Sequence, residues 1–164
     1  MEDKERRRAS GRASAAALFA VYALAVLALL FLRAPRGVGG WNLRPLRTIR
    51  VCCRILFDGG AWSEELRRYA WVNFPGNILL FVPLGLFLPR LFPRQRRFPL
   101  FLATAAAAVV IVEALQYLTS LGALDVDDLI LNLAGASLGF LFQRHKNRAP
   151  KRPFSRFIIF HKIQ

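Results

Sequence analysis

Residues 98–119 read FPLFLATAAAAVVIVEALQYLT, and the one charged side chain among them is Glu113. An α-helix rises about 1.5 Å per residue, so roughly 20 apolar residues cross the hydrocarbon core of a bilayer. The stretch is expected to be a transmembrane helix that carries a carboxylate into the membrane. An ionisable group at that depth is costly, which makes it a candidate for function as well as for fold.

Other apolar runs flank it. Ala13–Leu32 is long and uncharged. It exceeds a usual signal-peptide core, and Arg33-Ala34-Pro35-Arg36 after it is a poor cleavage site, so an uncleaved first helix is expected. Ala70–Pro89 is also long enough, but it holds Asn73, Pro75, Gly76, Asn77, Pro83 and Gly85. It should be kinked or irregular near its start. Leu129–Phe142 is the shortest run and spans only with Asp128 at its rim. The expectation is an all-α polytopic membrane protein, a bundle of about four transmembrane helices near 13–32, 70–89, 98–119 and 128–143. Residues 13–143 form the membrane domain, 33–69 an external connection, 1–12 a basic N-terminal arm and 144–164 a basic tail.

Charge sets the expected orientation. Lys4, Arg6, Arg7, Arg8 and Arg12 precede the first helix, and Arg90, Arg94, Arg96 and Arg97 join the second to the third. The tail holds Arg144, Lys146, Arg148, Lys151, Arg152, Arg156 and Lys162, whereas Ser120–Asp128 has no basic residue. The positive-inside rule then places both termini in the cytoplasm. The connection 33–69 disagrees, because it is rich in arginine. The 164-residue chain carries a net charge of +14, but it is 55% hydrophobic, in blocks with the basic residues between them. That pattern fits a membrane rather than nucleic acid as partner. Cys52 and Cys53 are adjacent and read as small semi-apolar residues.

Polar residues at membrane depth supply the candidate site. Glu113 and Gln116 share a face of the third helix, and Asp128 and Asn132 share a face of the fourth. Asp125 and Asp127 lie at its entry, and Asn73 and Asn77 near the start of the second. All fall at one level, the outer half of the bilayer. Arg44 or Arg47 is expected to neutralise Glu113 or the Asp125–Asp128 group, which would explain the basic connection. The plainer reading is that the amides are hydrogen-bond glue between helices. Three carboxylates in Asp125–Asp128 would suit a hard cation, but the spacing is not an EF-hand, and neither a metal nor a cofactor is assigned. Gly135 and Gly139 read as a close-packing face, which in a dimer would join two copies.

Several of these stretches together resemble the VanZ-like family. Asn77-Ile78-Leu79-Leu80-Phe81-Val82-Pro83-Leu84-Gly85 is similar to its second-helix motif. Glu113 and Gln116 resemble its Glu-x-x-Gln. Asp125-Val126-Asp127-Asp128-Leu129-Ile130-Leu131-Asn132, followed by Gly135 and Gly139, resembles its Asp-rich entry to the fourth helix. Trp41-Asn42-Leu43-Arg44-Pro45-Leu46-Arg47-Thr48-Ile49 is similar to its Asn-Leu-x-Pro-Phe segment, with Leu46 in place of Phe and Arg44 at a normally apolar place. The resemblance implies a bacterial integral membrane protein of the cytoplasmic membrane, and the namesake is linked to low-level teicoplanin resistance.

Three functions are compatible. The first is a non-catalytic envelope protein whose outward polar pocket binds a lipid-linked cell-wall precursor, a glycopeptide or another lipophilic ligand beside membrane lipid. The second is a small enzyme acting on a lipid headgroup through Glu113, Asp127 and Asp128. The third is a transporter component or helper subunit. The first is favoured.

Overall fold

A computed structural model describes residues 2–32, 41–119 and 124–148. Helix α1 runs Glu2–Leu32, and a two-residue strand, β1, covers Trp41–Asn42. Helices α2 (Arg47–Phe57) and α3 (Glu64–Trp71) follow. A π-helical turn, Val72–Gly76, carries α3 directly into α4 (Asn77–Leu91). A 3-10 turn, Pro93–Arg96, leads to α5 (Phe98–Leu118). Strand β2 (Leu124–Asp125) opens α6 (Val126–Arg148). The fold is all-α, with the two short strands as one parallel bridge, Trp41 opposite Leu124 and Asn42 opposite Asp125.

Among the described residues, three stretches are long and apolar enough to cross a membrane: 9–29 of α1, Glu64–Leu91, and Phe98–Leu118. Helix α6 does not join them on that measure. It is 23 residues long, but Asp127 and Asp128 open its first turn and Arg144, Lys146 and Arg148 occupy its end. Helix α1 begins well before the apolar run at Ala13, so the described part of the basic arm is itself helical. The tail from residue 149 on and the segments 33–40 and 120–123 lie outside the described residues.

Local chemistry explains the element ends. Ser63 caps α3 by accepting the Leu66 N–H at 3.4 Å, and Glu64 and Glu65 complement the positive end of its dipole. Pro99 sits in the first turn of α5, where a missing N–H costs nothing. Pro75 interrupts the long second rod and coincides with the π turn, which is the irregularity expected there.

The core is the crossing of α4, α5 and α6. Phe81 and Leu88 meet Phe101, Ala105 and Val109, with Ala136 and Phe140 between them. The Phe101 and Phe140 rings stack at 4.8 Å. Between α4 and α6 the backbones touch. A Cβ on Gly85 would strike the Ala136 carbonyl, one on Gly135 the Ile78 carbonyl, and one on Gly139 the Val82 carbonyl. Lipid gives helices little hydrophobic reason to associate, so such close approach supplies much of their attraction. Gly135 and Gly139 thus form a close-packing face against α4 within the chain. Helix α1 lies antiparallel along α4, with the Tyr22 hydroxyl donating to the Leu80 carbonyl at 2.8 Å and Arg12 reaching the Leu91 carbonyl at 3.4 Å.

A second, smaller core holds α2 against α3: Cys52, Ile55 and Ala70, with Leu56, Trp62 and Phe74 around them. The opposite face of α2 presents Arg47, Arg50 and Arg54 outward. Such a helix is suited to lie in a membrane interface.

Gly135→Val is expected to destabilise the protein by about 1–3 kcal/mol or more, because overpacking must push α4 away. Gly11→Ala, where nothing lies within 4 Å, should be neutral or stabilise by up to about 1 kcal/mol. Thermal unfolding in detergent distinguishes the two, and equal midpoints would contradict the close-packed crossing.

Candidate functional site

The acids converge where α6 begins, and each meets a different element. Asp125 ends the parallel bridge. Its carboxylate accepts the Asn42 side-chain amide at 2.9 Å, the Thr48 hydroxyl at 2.7 Å and the Asp127 backbone N–H at 2.8 Å. The last of these covers a free donor in the first turn of α6. Asn42 also donates to the Thr48 hydroxyl at 3.1 Å and accepts the Arg44 N–H at 3.3 Å, which shapes the turn into α2.

Asp127 is completely buried. It faces the start of α2, which has no side-chain cap of its own. The backbone N–H groups of Leu46, Thr48 and Ile49 donate to its two oxygens at 2.5, 2.6 and 3.2 Å. A carboxylate from one helix thus caps another that is about eighty residues away in sequence. Leu46 adopts the left-handed conformation, φ 66° and ψ 9°, a costly state for a side chain with a Cβ. Its N–H is one of the three donors to Asp127, so the capping contact holds the strained residue in place.

Asp128 turns toward α4 and accepts the Asn77 amide at 2.7 Å. Glu113, buried on α5, accepts a backbone hydrogen bond from Asp125 and lies within electrostatic reach of Asp128. Asn132, one turn into α6, is buried, and its side-chain carbonyl has no partner among the described residues. Gln116 is partly buried one turn beyond Glu113, with its backbone carbonyl near the Thr119 hydroxyl at 3.3 Å. Asn73 does not join the group. Its amide returns to the Tyr69 carbonyl of its own helix at 2.9 Å.

The arginines behave differently from the expectation. Arg44 and Arg47 are exposed, and among the described residues no guanidinium lies within ion-pair distance of Glu113, Asp125, Asp127 or Asp128. Arg54 pairs with Asp58 at 3.8 Å, an exposed pair worth little. The physical reason is that main-chain N–H groups at a helix start are donors already inside the fold, whereas a guanidinium would have to be desolvated to compete. Nor do three metal-ligating side chains converge on one point among the described residues. Of the acids named for a catalytic reading, Asp127 has both oxygens engaged by backbone donors. Among the described residues, Asp128 takes the Asn77 amide and Glu113 a backbone N–H from Asp125.

Sequence reasoning missed Asn42, Thr48 and the backbone of Leu46 as members of this cluster. A signal was present. Asn42 and Pro45 mark a turn, and Thr48 falls in the first turn of the amphipathic segment that begins at Arg47. What the sequence did not display was the partner, because Asp127 lies far down the chain. Next to the acids, Cys52 is fully buried. Burial first, then Cys53 and the three aspartates, push its thiol up to about 11.

A family profile described as VanZ/LLP1 matches residues 19–146. No curated protein and no solved structure matches the chain.

Asp127→Asn keeps the size but leaves one acceptor oxygen for three donors. It is expected to cost about 1–3 kcal/mol and to speed amide hydrogen exchange at Leu46, Thr48 and Ile49. Arg44→Ala and Arg47→Ala should leave those amides protected. If the arginine variants deprotected them equally, the backbone cap would be the wrong account. Because the thiolate is the nucleophile, iodoacetamide at pH 8 should alkylate Cys53 and spare Cys52. Equal labelling in the folded protein, read by peptide mass, would show that Cys52 is not shielded.

Proposed function

The chain belongs to the VanZ/LLP1 family, and from that premise we propose a non-catalytic, multi-pass protein of the bacterial cytoplasmic membrane. Its acidic end faces outward and binds the headgroup of a lipid-linked or lipophilic ligand. Through that binding it modulates susceptibility to teicoplanin-type glycopeptides.

The observation that carries this reading is a buried acceptor without a donor among the described residues, the Asn132 carbonyl, beside the acids. It lies one turn along α6 from Asp128, and Asp128, which takes the Asn77 amide, lies within electrostatic reach of buried Glu113. Buried acceptors without donors are unfavourable, so a ligand rich in hydroxyl, amide or ammonium donors gains by entering. Glycopeptides and cell-wall precursor headgroups have that chemistry. Beside the acids, α5 presents Ile111, Leu115 and Leu118 outward, Leu118 at 75% exposure. An acyl chain attached to such a headgroup would lie along that face.

The outward orientation is supported by the opposite end. Arg12 meets the end of α4, so the N-terminal arm and the arginines of the α4–α5 connection sit together. Positive charge at one end of a bundle belongs on the cytoplasmic side.

Strong expression in a teicoplanin-susceptible Gram-positive host is expected to raise the inhibitory concentration of teicoplanin several-fold. Glu113→Ala and Asp128→Ala should remove that rise at equal membrane abundance. An unchanged susceptibility with abundant wild-type protein would remove the resistance reading.

A further inference from the structure

The end opposite the acids holds a cleft that the proposed function does not use. It has a volume of roughly 720 Å³ and is lined by Arg96, Arg97, Phe98, Pro99, Leu100 and Arg144. A second opening of about 430 Å³, with Pro93 and Arg94 on its wall, shares Arg97 and Leu100 with it. The cleft volume lies within the usual range for small-molecule sites, about 300–1,000 Å³.

Its charge is unbalanced. Arg96 and Arg97 come from the α4–α5 connection and Arg144 from the last turns of α6, so two separate parts of the chain bring guanidiniums to one place. Like charges brought together repel unless an anion sits between them. Among the described residues none of the three has a carboxylate in ion-pair range. Arg96 is steadied by a 3.4 Å hydrogen bond from its Nε to the Pro89 carbonyl, a contact that uses neither of its terminal nitrogens. All the basic residues lining the two openings are arginine, the side chain whose planar fork matches the oxygens of a phosphate.

The remaining surface is apolar and faces outward. Leu100 is 43% exposed, and on α6 Leu141 and Phe142 are 54% and 65% exposed just before Arg144. A soluble anion has no use for exposed apolar side chains in the cleft lining or along the helix that supplies Arg144. A molecule with a phosphate at one end and an acyl chain at the other would fill both.

We propose that this cleft binds the phosphodiester headgroup of an anionic phospholipid, with Arg96, Arg97 and Arg144 on the phosphate and the acyl chains against Leu100, Leu141 and Phe142. The site is independent of the acid-lined end, and the bound lipid would fix the depth of α6, the helix with the shortest apolar stretch. The lysine-free cleft makes a guanidinium-specific contact rather than a diffuse attraction to a charged surface.

Native mass spectrometry of the full-length protein, released from mixed micelles, tests this directly. Wild type is expected to retain phosphatidylglycerol over phosphatidylcholine by about tenfold. The triple variant Arg96→Gln, Arg97→Gln, Arg144→Gln should lose that preference. A charge-matched control at the other end, Arg47→Gln, Arg50→Gln, Arg54→Gln, should keep it. Thermal midpoints of both variants verify folding, since every substituted side chain is exposed. Equal retention of the two lipids would overturn the proposal. So would a loss of preference as large in the control, which would indicate net charge instead of a site. Inorganic phosphate at the same concentration should neither displace phosphatidylglycerol nor stabilise the protein. If it does both, the cleft takes free phosphate and the lipid assignment fails.

Discussion

A buried carboxylate must be given donors, and the start of a helix must be given acceptors; Asp127 and α2 solve each other's problem. Four N–H groups at a helix start lack intrahelical partners. Asp127, completely buried, takes three N–H groups from residues 46–49. Neither group would tolerate burial alone. Together they fasten the segment after β1 to the start of α6, and the rest of the acidic end follows from that register. Asp125 then lies against Asn42 and Thr48, Asp128 against Asn77, and Glu113 against the Asp125 backbone. Helices α2, α4, α5 and α6 are thereby joined through one short acidic run.

Much of this was legible in the sequence, and the reasons differ by feature. The long helices could be read because apolar length is a property of consecutive residues. The irregular start of the second span could be read because Pro75 and Gly76 act on their own backbone. Close packing at Gly135 and Gly139 could be read from the missing side chains, although their partner, α4, could not. The convergence of the acids was visible as a common level. Their pairing was not, because charge opposite charge is the pattern that side chains suggest. The actual donors to Asp127 are main-chain groups, and every residue has one. Only the left-handed turn at Leu46 aims those groups at Asp127, and nothing in the residue Leu announces that conformation.

The arginines of α2 acquire a different meaning once the acids are satisfied. Arg47, Arg50 and Arg54 ride on the outer face of a helix whose inner face is anchored by Cys52 and Ile55. Their long stems can lie along the interface with the guanidiniums held in water. The basic connection is therefore explained by its amphipathic helix. The two ends of the molecule still differ, with a buried acidic network under α2 at one and a cleft lined by arginines at the other.

The π turn is what makes the acidic end and the glycine crossing compatible. One residue occupies about 100° of an α-helix, so an inserted residue rotates everything after it by that amount. The turn at Val72–Gly76 immediately precedes Asn77. From Asn77 onward the stripe of Ile78, Val82 and Gly85 faces α6, and Asn77 reaches Asp128 at its top. Helix α3, before the turn, keeps Ala70 against Cys52 and Ile55 of α2. A straight helix through residues 64–91 would satisfy one of these contacts and turn the other away. Pro75, which cannot donate to the preceding turn, makes the irregular register tolerable at the position where both demands meet.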